Sequence, residues 1–106
     1  MSLDRWLAVD AYFADRLLPD DPVLGAALLA SDEAGLPPIN VTPHQGRFLH
    51  LLARVQGARR VLEIGTLGGY STIWLGRAVA PDGRVTTLEV EPHHAEVARA
   101  NLEHAG

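Results

Sequence analysis

The chain has 106 residues, 47% hydrophobic and 21% charged, with a formal charge of −4, which fits one globular domain at most. The acidic balance lacks the basic footprint of a nucleic-acid binder, no apolar run approaches the roughly 20 residues that cross a bilayer, and Asp4, Arg5 and Asp10 break up the signal-peptide pattern at the amino terminus. With no cysteine, disulfides and thiolate metal sites are excluded and a reducing, cytoplasmic setting is expected.

Helical spacing puts Leu3, Trp6, Leu7, Phe13, Ala14 and Leu17 on one face of a first helix, interrupted by Asp10. Trp6 and Phe13 are read as packing residues, and their apolar face is expected to meet the domain or a second subunit. Pro19-Asp20-Asp21-Pro22 then breaks the chain. Asp21 before Pro22 is a helix start, which predicts a short apolar helix over residues 23–30, followed by Gly35. The prolines of Leu36-Pro37-Pro38-Ile39-Asn40-Val41 favour extended backbone. At Thr42-Pro43-His44-Gln45 the threonine caps, the proline takes the first turn and the glutamine completes a capping box. This third helix runs through Phe48, Leu49, Leu51, Leu52 and Val55 to Gly57.

Arg60-Val61-Leu62-Glu63-Ile64 reads as a short strand that runs into glycine. Residues 69–79 read as a helix with Ile73, Trp74, Leu75 and Val79 buried, and Pro81-Asp82-Gly83 is a turn. Residues 84–90 are a second strand, rich in β-branched side chains. Pro92 opens a last helix through Val97, Ala98 and Leu102, with Gly106 placed like its stop. Strand, helix, strand, helix predicts parallel pairing through a right-handed crossover. The fold class is therefore α/β: an N-terminal helical segment over residues 1–42, then over residues 43–106 the opening β-α-β-α units of a doubly wound, Rossmann-like sheet. Two strands are fewer than such sheets hold, so a truncated domain is expected; a complete small fold of three helices on two strands is the alternative.

The chemistry is concentrated in Glu63-Ile64-Gly65-Thr66-Leu67-Gly68-Gly69-Tyr70-Ser71. Glycines at a strand-to-helix turn let the backbone approach a ligand, and the helix start that follows favours an anion. The dinucleotide pattern Gly-x-Gly-x-x-Gly fails, because Leu67 stands where its second glycine belongs, and the Lys-Ser/Thr ending of a phosphate loop is missing. An acid at the strand end suits a cationic amino group better than a pyrophosphate. A second acid, Glu89, lies 26 residues on at the end of the next strand, where this class of fold binds ribose hydroxyls. An amino acid joined to a nucleoside, as in S-adenosylmethionine, fits both acids.

Residues 61–71 resemble the first motif of the catechol and caffeoyl-CoA O-methyltransferase family. Thr87-Leu88-Glu89 resembles its second motif, and Gln45-Gly46-Arg47-Phe48-Leu49 the helix that precedes the fold. The resemblance covers about residues 36–106 and implies a class I S-adenosylmethionine-dependent O-methyltransferase. It implies that the Val41 backbone holds the methionine end of the cofactor, that Glu63 lies near its amino group, and that Gly65 and Thr66 line the loop. Ser71 would bond the carboxylate and Glu89 the ribose; Gly69 and Tyr70 match the motif, and Leu67 stands where some animal members carry an aromatic residue. The resemblance further implies a small, catechol-like hydroxylated acceptor, a homodimer and a divalent cation that makes the acceptor hydroxyl more acidic. The family's metal ligands and catalytic base lie beyond Gly106, so no catalytic or metal residue is assigned here, and these 106 residues alone are not expected to catalyse. The alternative reading is a nucleoside-binding or structural module without catalysis.

Several residues have plainer readings. Ser71 is also a good helix cap, Tyr70 is equally a packing residue, and Glu89 alone is a solvated strand end. His93, His94 and His104 are expected to be solvated, and His44 and His50 are too poorly spaced to share a helical face.

Overall fold

The computed structural model describes residues 2–106. Among these the elements are α1 (Leu3–Leu17), α2 (Pro22–Glu33), α3 (Pro43–Val55), β1 (Arg60–Ile64), α4 (Tyr70–Val79), β2 (Arg84–Leu88) and α5 (Pro92–Ala105). Local chemistry fixes the helix starts. The Asp21 carboxylate accepts the Leu24 N–H at 3.1 Å. Thr42 and Gln45 form the reciprocal capping box, with bonds of 3.3 and 2.9 Å. Each pair satisfies amides that have no partner inside their own helix.

β1 and β2 pair in parallel, with Arg60 opposite Arg84, Glu63 opposite Thr87 and Ile64 opposite Leu88. Alternation along each strand turns Val61, Glu63, Val85 and Thr87 inward and leaves Leu62, Ile64 and Leu88 exposed. The core is Leu24, Ala27, Tyr70, Ile73 and Trp74, with Leu18, Leu28, Val41, Leu102 and Ala105 packed against it. Thus α4 is the central element, between the sheet and helices α2, α3 and α5. Two polar ties lock this arrangement. Arg77 of α4 grips Asp21 through bonds of 2.5 and 3.2 Å. The buried Asn101 amide donates to the carbonyls of Gly68 at 2.8 Å and Ala27 at 3.3 Å, joining α5 to the loop and to α2.

The strand-helix-strand-helix order and the parallel pairing match the sequence reading. Three details go beyond it. α2 continues to Glu33, because Gly35, with φ +77°, and not Ala30 marks its end. In α3 the buried residues are Gly46 and Ala53, whereas Phe48, Leu51, Leu52 and Val55 are exposed. The cause is close approach, since a Cβ on Gly46 would collide with the Trp74 indole, so small residues make the contact with α4. Finally, α1 has no buried residue among those described, and Trp6 and Phe13 are 55% and 45% exposed. The described residues do not cover this face, which leaves the rings open to a second subunit, the other setting expected for them. No helix among the described residues is long and apolar enough to cross a membrane.

Candidate cofactor site

The site is built where β1 and β2 end. β2 stops at Leu88, so Glu89 stands just past the strand, while the Gly65 N–H still bonds the Leu88 carbonyl at 2.8 Å. Between β1 and α4 the backbone makes a compact left-handed path: Gly65 has φ +94°, Leu67 +51° and Gly69 +85°. Glycine takes such angles freely, but for leucine they cost on the order of 1–3 kcal/mol. The Leu67 N–H is held by Glu89 Oε1 at 2.7 Å, which offsets that strain. In front of Gly65 there is open space on the side where a Cβ would stand.

Gly65, Leu67 and Glu89 line a cavity of about 310 Å³ together with Leu28, Ser31, Ile39, Asn40 and Val41 from the upstream segment and Glu91 and His94 from the start of α5. Of the residues singled out from sequence, Val41, Gly65, Thr66, Tyr70, Ser71 and Glu89 all border it. Glu63 sits behind that wall, reached through Ser71, whose hydroxyl donates to Glu63 Oε2 at 2.6 Å. Gly69 is the left-handed cap of α4; an added Cβ there would touch Ala98 at 3.5 Å.

The two acids are held differently. Thr72 and Thr87 donate to Glu63 Oε1 at 2.5 and 2.8 Å, so with Ser71 the carboxylate takes three hydroxyl bonds. Glu89 is bound by backbone instead, with Leu67 N–H on Oε1 and Glu91 N–H on Oε2 at 3.1 Å. The Leu67 amide above all, then the Glu91 amide, holds the Glu89 carboxyl below the usual carboxylate range, with the nearby His94 adding to the effect. Burial pushes the Tyr70 hydroxyl up, and the negative charge of Asp21 pushes it further. Tyr70 is 4% exposed and belongs both to the core and to the cavity wall, so the packing and binding readings hold together.

The start of α4 can receive an anion. No side chain caps it, and its first-turn amides open beside the cavity. The Glu63 charge, just behind Ser71, favours an ammonium at this end of the cavity, the α4 amides and Ser71 suit a carboxylate, and Glu89 suits vicinal hydroxyls. The residues therefore fit an amino acid joined to a nucleoside. Val41 contributes less openly, since its carbonyl already accepts the Asn40 amide at 3.1 Å.

Sequence reasoning missed Thr72 and Thr87 as partners of Glu63, and it missed His94. Thr87 is legible once the parallel register is known, because it is the direct partner of Glu63. His94 is not simply solvated: it is half-buried, with Nδ1 3.7 Å from Glu89 Oε2. His93 is exposed as expected, with its Nε2 2.9 Å from the Ala34 carbonyl. Among the described residues no group of three or more His, Asp or Glu side chains could hold a metal ion.

Comparison with known proteins identifies the family. The family described as O-methyltransferase matches residues 22–106. A catechol O-methyltransferase of Mycobacterium tuberculosis is 63% identical over 98 residues, spanning 92% of this chain and 44% of that protein. The crystal structure of an O-methyltransferase from Bacillus cereus in complex with SAH superposes with a TM-score of 0.95 at 52% identity, over 98% of this chain and 47% of that one. The O-methyltransferase TomG from Streptomyces achromogenes, solved with SAM, has a TM-score of 0.91 at 51% identity, over all of this chain and 48% of its own. The chain thus spans somewhat under half the length of these relatives, 44% to 48%.

Proposed function

This chain belongs to the O-methyltransferase family, and from that premise we propose that the whole protein is an S-adenosylmethionine-dependent O-methyltransferase acting on a hydroxyl of a small, catechol-like acceptor. One observation carries the reading: an uncapped helix start borders one 310 Å³ cavity, with Glu89 on its wall and Glu63 directly behind Ser71. When bound, the cofactor would supply a sulfonium methyl group for the acceptor oxygen, the sulfur keeping the bonding pair and the hydroxyl proton passing to a base outside this chain. The chain's own part is binding. Glu63 and Ser71 take the amino-acid end, Gly65, Thr66 and Gly69 shape the turn beneath it, Glu89 takes the ribose hydroxyls, and Val41 and Tyr70 wall the cleft. The curated names of relatives support a catechol-type acceptor. The divalent cation implied by the resemblance would be held by residues outside this chain. A homodimer and a cytoplasmic setting complete the proposal; the exposed Trp6 and Phe13 side of α1 offers an apolar face for a second copy.

Calorimetric titration of the protein with S-adenosylhomocysteine is the test. One site per chain is expected, and no binding heat up to about 1 mM, where binding is worth only about 4 kcal/mol, overturns the assignment. Glu89→Gln keeps an acceptor for the Leu67 amide but removes the charge. It is expected to weaken the complex about tenfold, the loss of one charge-assisted hydrogen bond.

A further inference from the structure

The hydrogen bonds around Glu63 have a direction that can be deduced. An ionised carboxylate only accepts, and each threonine hydroxyl has one proton. Thr87 directs its proton to Glu63 Oε1 at 2.8 Å. Its 2.6 Å contact with the Thr66 hydroxyl therefore has one donor left, Thr66. The chain of donation runs from Thr66 to Thr87 to Glu63. Thr72 fills the other position on Oε1 at 2.5 Å. A carboxylate offers about four lone-pair sites. Oε1 is filled, while Oε2 holds Ser71 alone and keeps a free position.

We propose that Thr66, Thr87 and Thr72 form a hydroxyl relay that positions Glu63, so that the open edge of Oε2 meets the ammonium group of the ligand. The proposal rests on the cofactor reading above and deepens it: Thr72 and Thr87 become positioning residues for the amino-acid end of the cofactor. Their placement supports this. Thr66 comes from the loop, Thr72 from the first turn of α4 and Thr87 from the strand position paired with Glu63. The carboxylate is thereby pinned from three elements at once. Thr66 and Thr72 are each 5% exposed, so water does not substitute for a lost hydroxyl. A carboxylate with an unfilled Oε1 would turn toward whatever donor remained, and the Oε2 edge would lose its aim.

The test compares two ligands. S-Adenosylhomocysteine carries the amino-acid end; 5′-methylthioadenosine keeps the nucleoside thioether and lacks it. Thr87→Val is expected to weaken S-adenosylhomocysteine about tenfold, the loss of roughly one hydrogen bond to a charged group, and to leave methylthioadenosine within about twofold. Thr87→Ser, which restores the hydroxyl, is expected to recover S-adenosylhomocysteine binding to within about threefold. Thr72→Val, on a different element, is expected to show the same selective loss and carries the test if Thr87→Val does not fold. Equal weakening of both ligands, an unchanged affinity for S-adenosylhomocysteine, or no rescue by serine overturns the relay. A wild-type protein that binds neither ligand overturns the cofactor reading itself, a distinct result.

Discussion

Helices α2 and α3 begin under caps made by their own side chains, Asp21 in one and Thr42 with Gln45 in the other. Helices α4 and α5 begin without any side-chain cap, and both starts lie at the same cavity. A capped start satisfies its amides internally and adds to stability. An uncapped start beside a cavity leaves donors and a partial positive charge for a ligand. Gly69 takes this furthest, with a left-handed φ of +85° and no side chain to compete for the amides. The chain thus separates two uses of the same local chemistry, anchoring at α2 and α3 and binding at α4.

Substitutions at the two kinds of start should therefore act on different quantities. The largest effect is expected from Asp21→Ala, which removes both the α2 cap and the bridge to Arg77. Stability should fall by about 2 kcal/mol, roughly one for the cap and up to one for the bridge. Urea unfolding measures this, and affinity for S-adenosylhomocysteine should stay within about twofold. Ser71→Ala is the converse. It should leave unfolding within about 0.5 kcal/mol, because Glu63 keeps its Thr72 and Thr87 donors, and weaken S-adenosylhomocysteine about tenfold. If Ser71→Ala instead unfolds the protein with little change in affinity, the separation between anchoring and binding starts is wrong.

The anchoring starts were legible in the sequence because their signals span only three residues, as in Thr42-Pro43-His44-Gln45. The binding loop was legible because glycine spacing discriminates between ligands. The supports of Glu63 were not, since Thr72 and Thr87 reach it from α4 and β2, and only the register places Thr87 opposite it. The packing of α3 was not legible, because close approach overrides hydrophobicity there: Gly46 meets the Trp74 ring while Phe48, Leu51, Leu52 and Val55 are exposed. The helical pattern of α1 was correct, yet periodicity does not say what covers the face it creates.

The smallest expected effect isolates the charge at the α2 start. Two N–H groups of Arg77 reach the Asp21 carboxylate at 2.5 and 3.2 Å, and this pairing, helped by the Leu24 amide, holds the carboxyl below its usual range. A carboxyl depressed in the folded state adds stability above its unfolded value, near 3.9; that stability fades as pH falls below it. The two side chains are 29% and 36% exposed, so solvent limits the contribution to about 1 kcal/mol or less. Asp21→Asn keeps a good cap and removes the charge. The stability difference between wild type and Asp21→Asn should therefore be largest near pH 6 and shrink below about pH 4, and added salt should reduce it. Glu89 is also held low, by the Leu67 amide, and it loses stability in the same acid window, but it is common to both proteins and cancels in the difference. A difference near zero at every pH would assign the stabilising role of Asp21 to the cap alone.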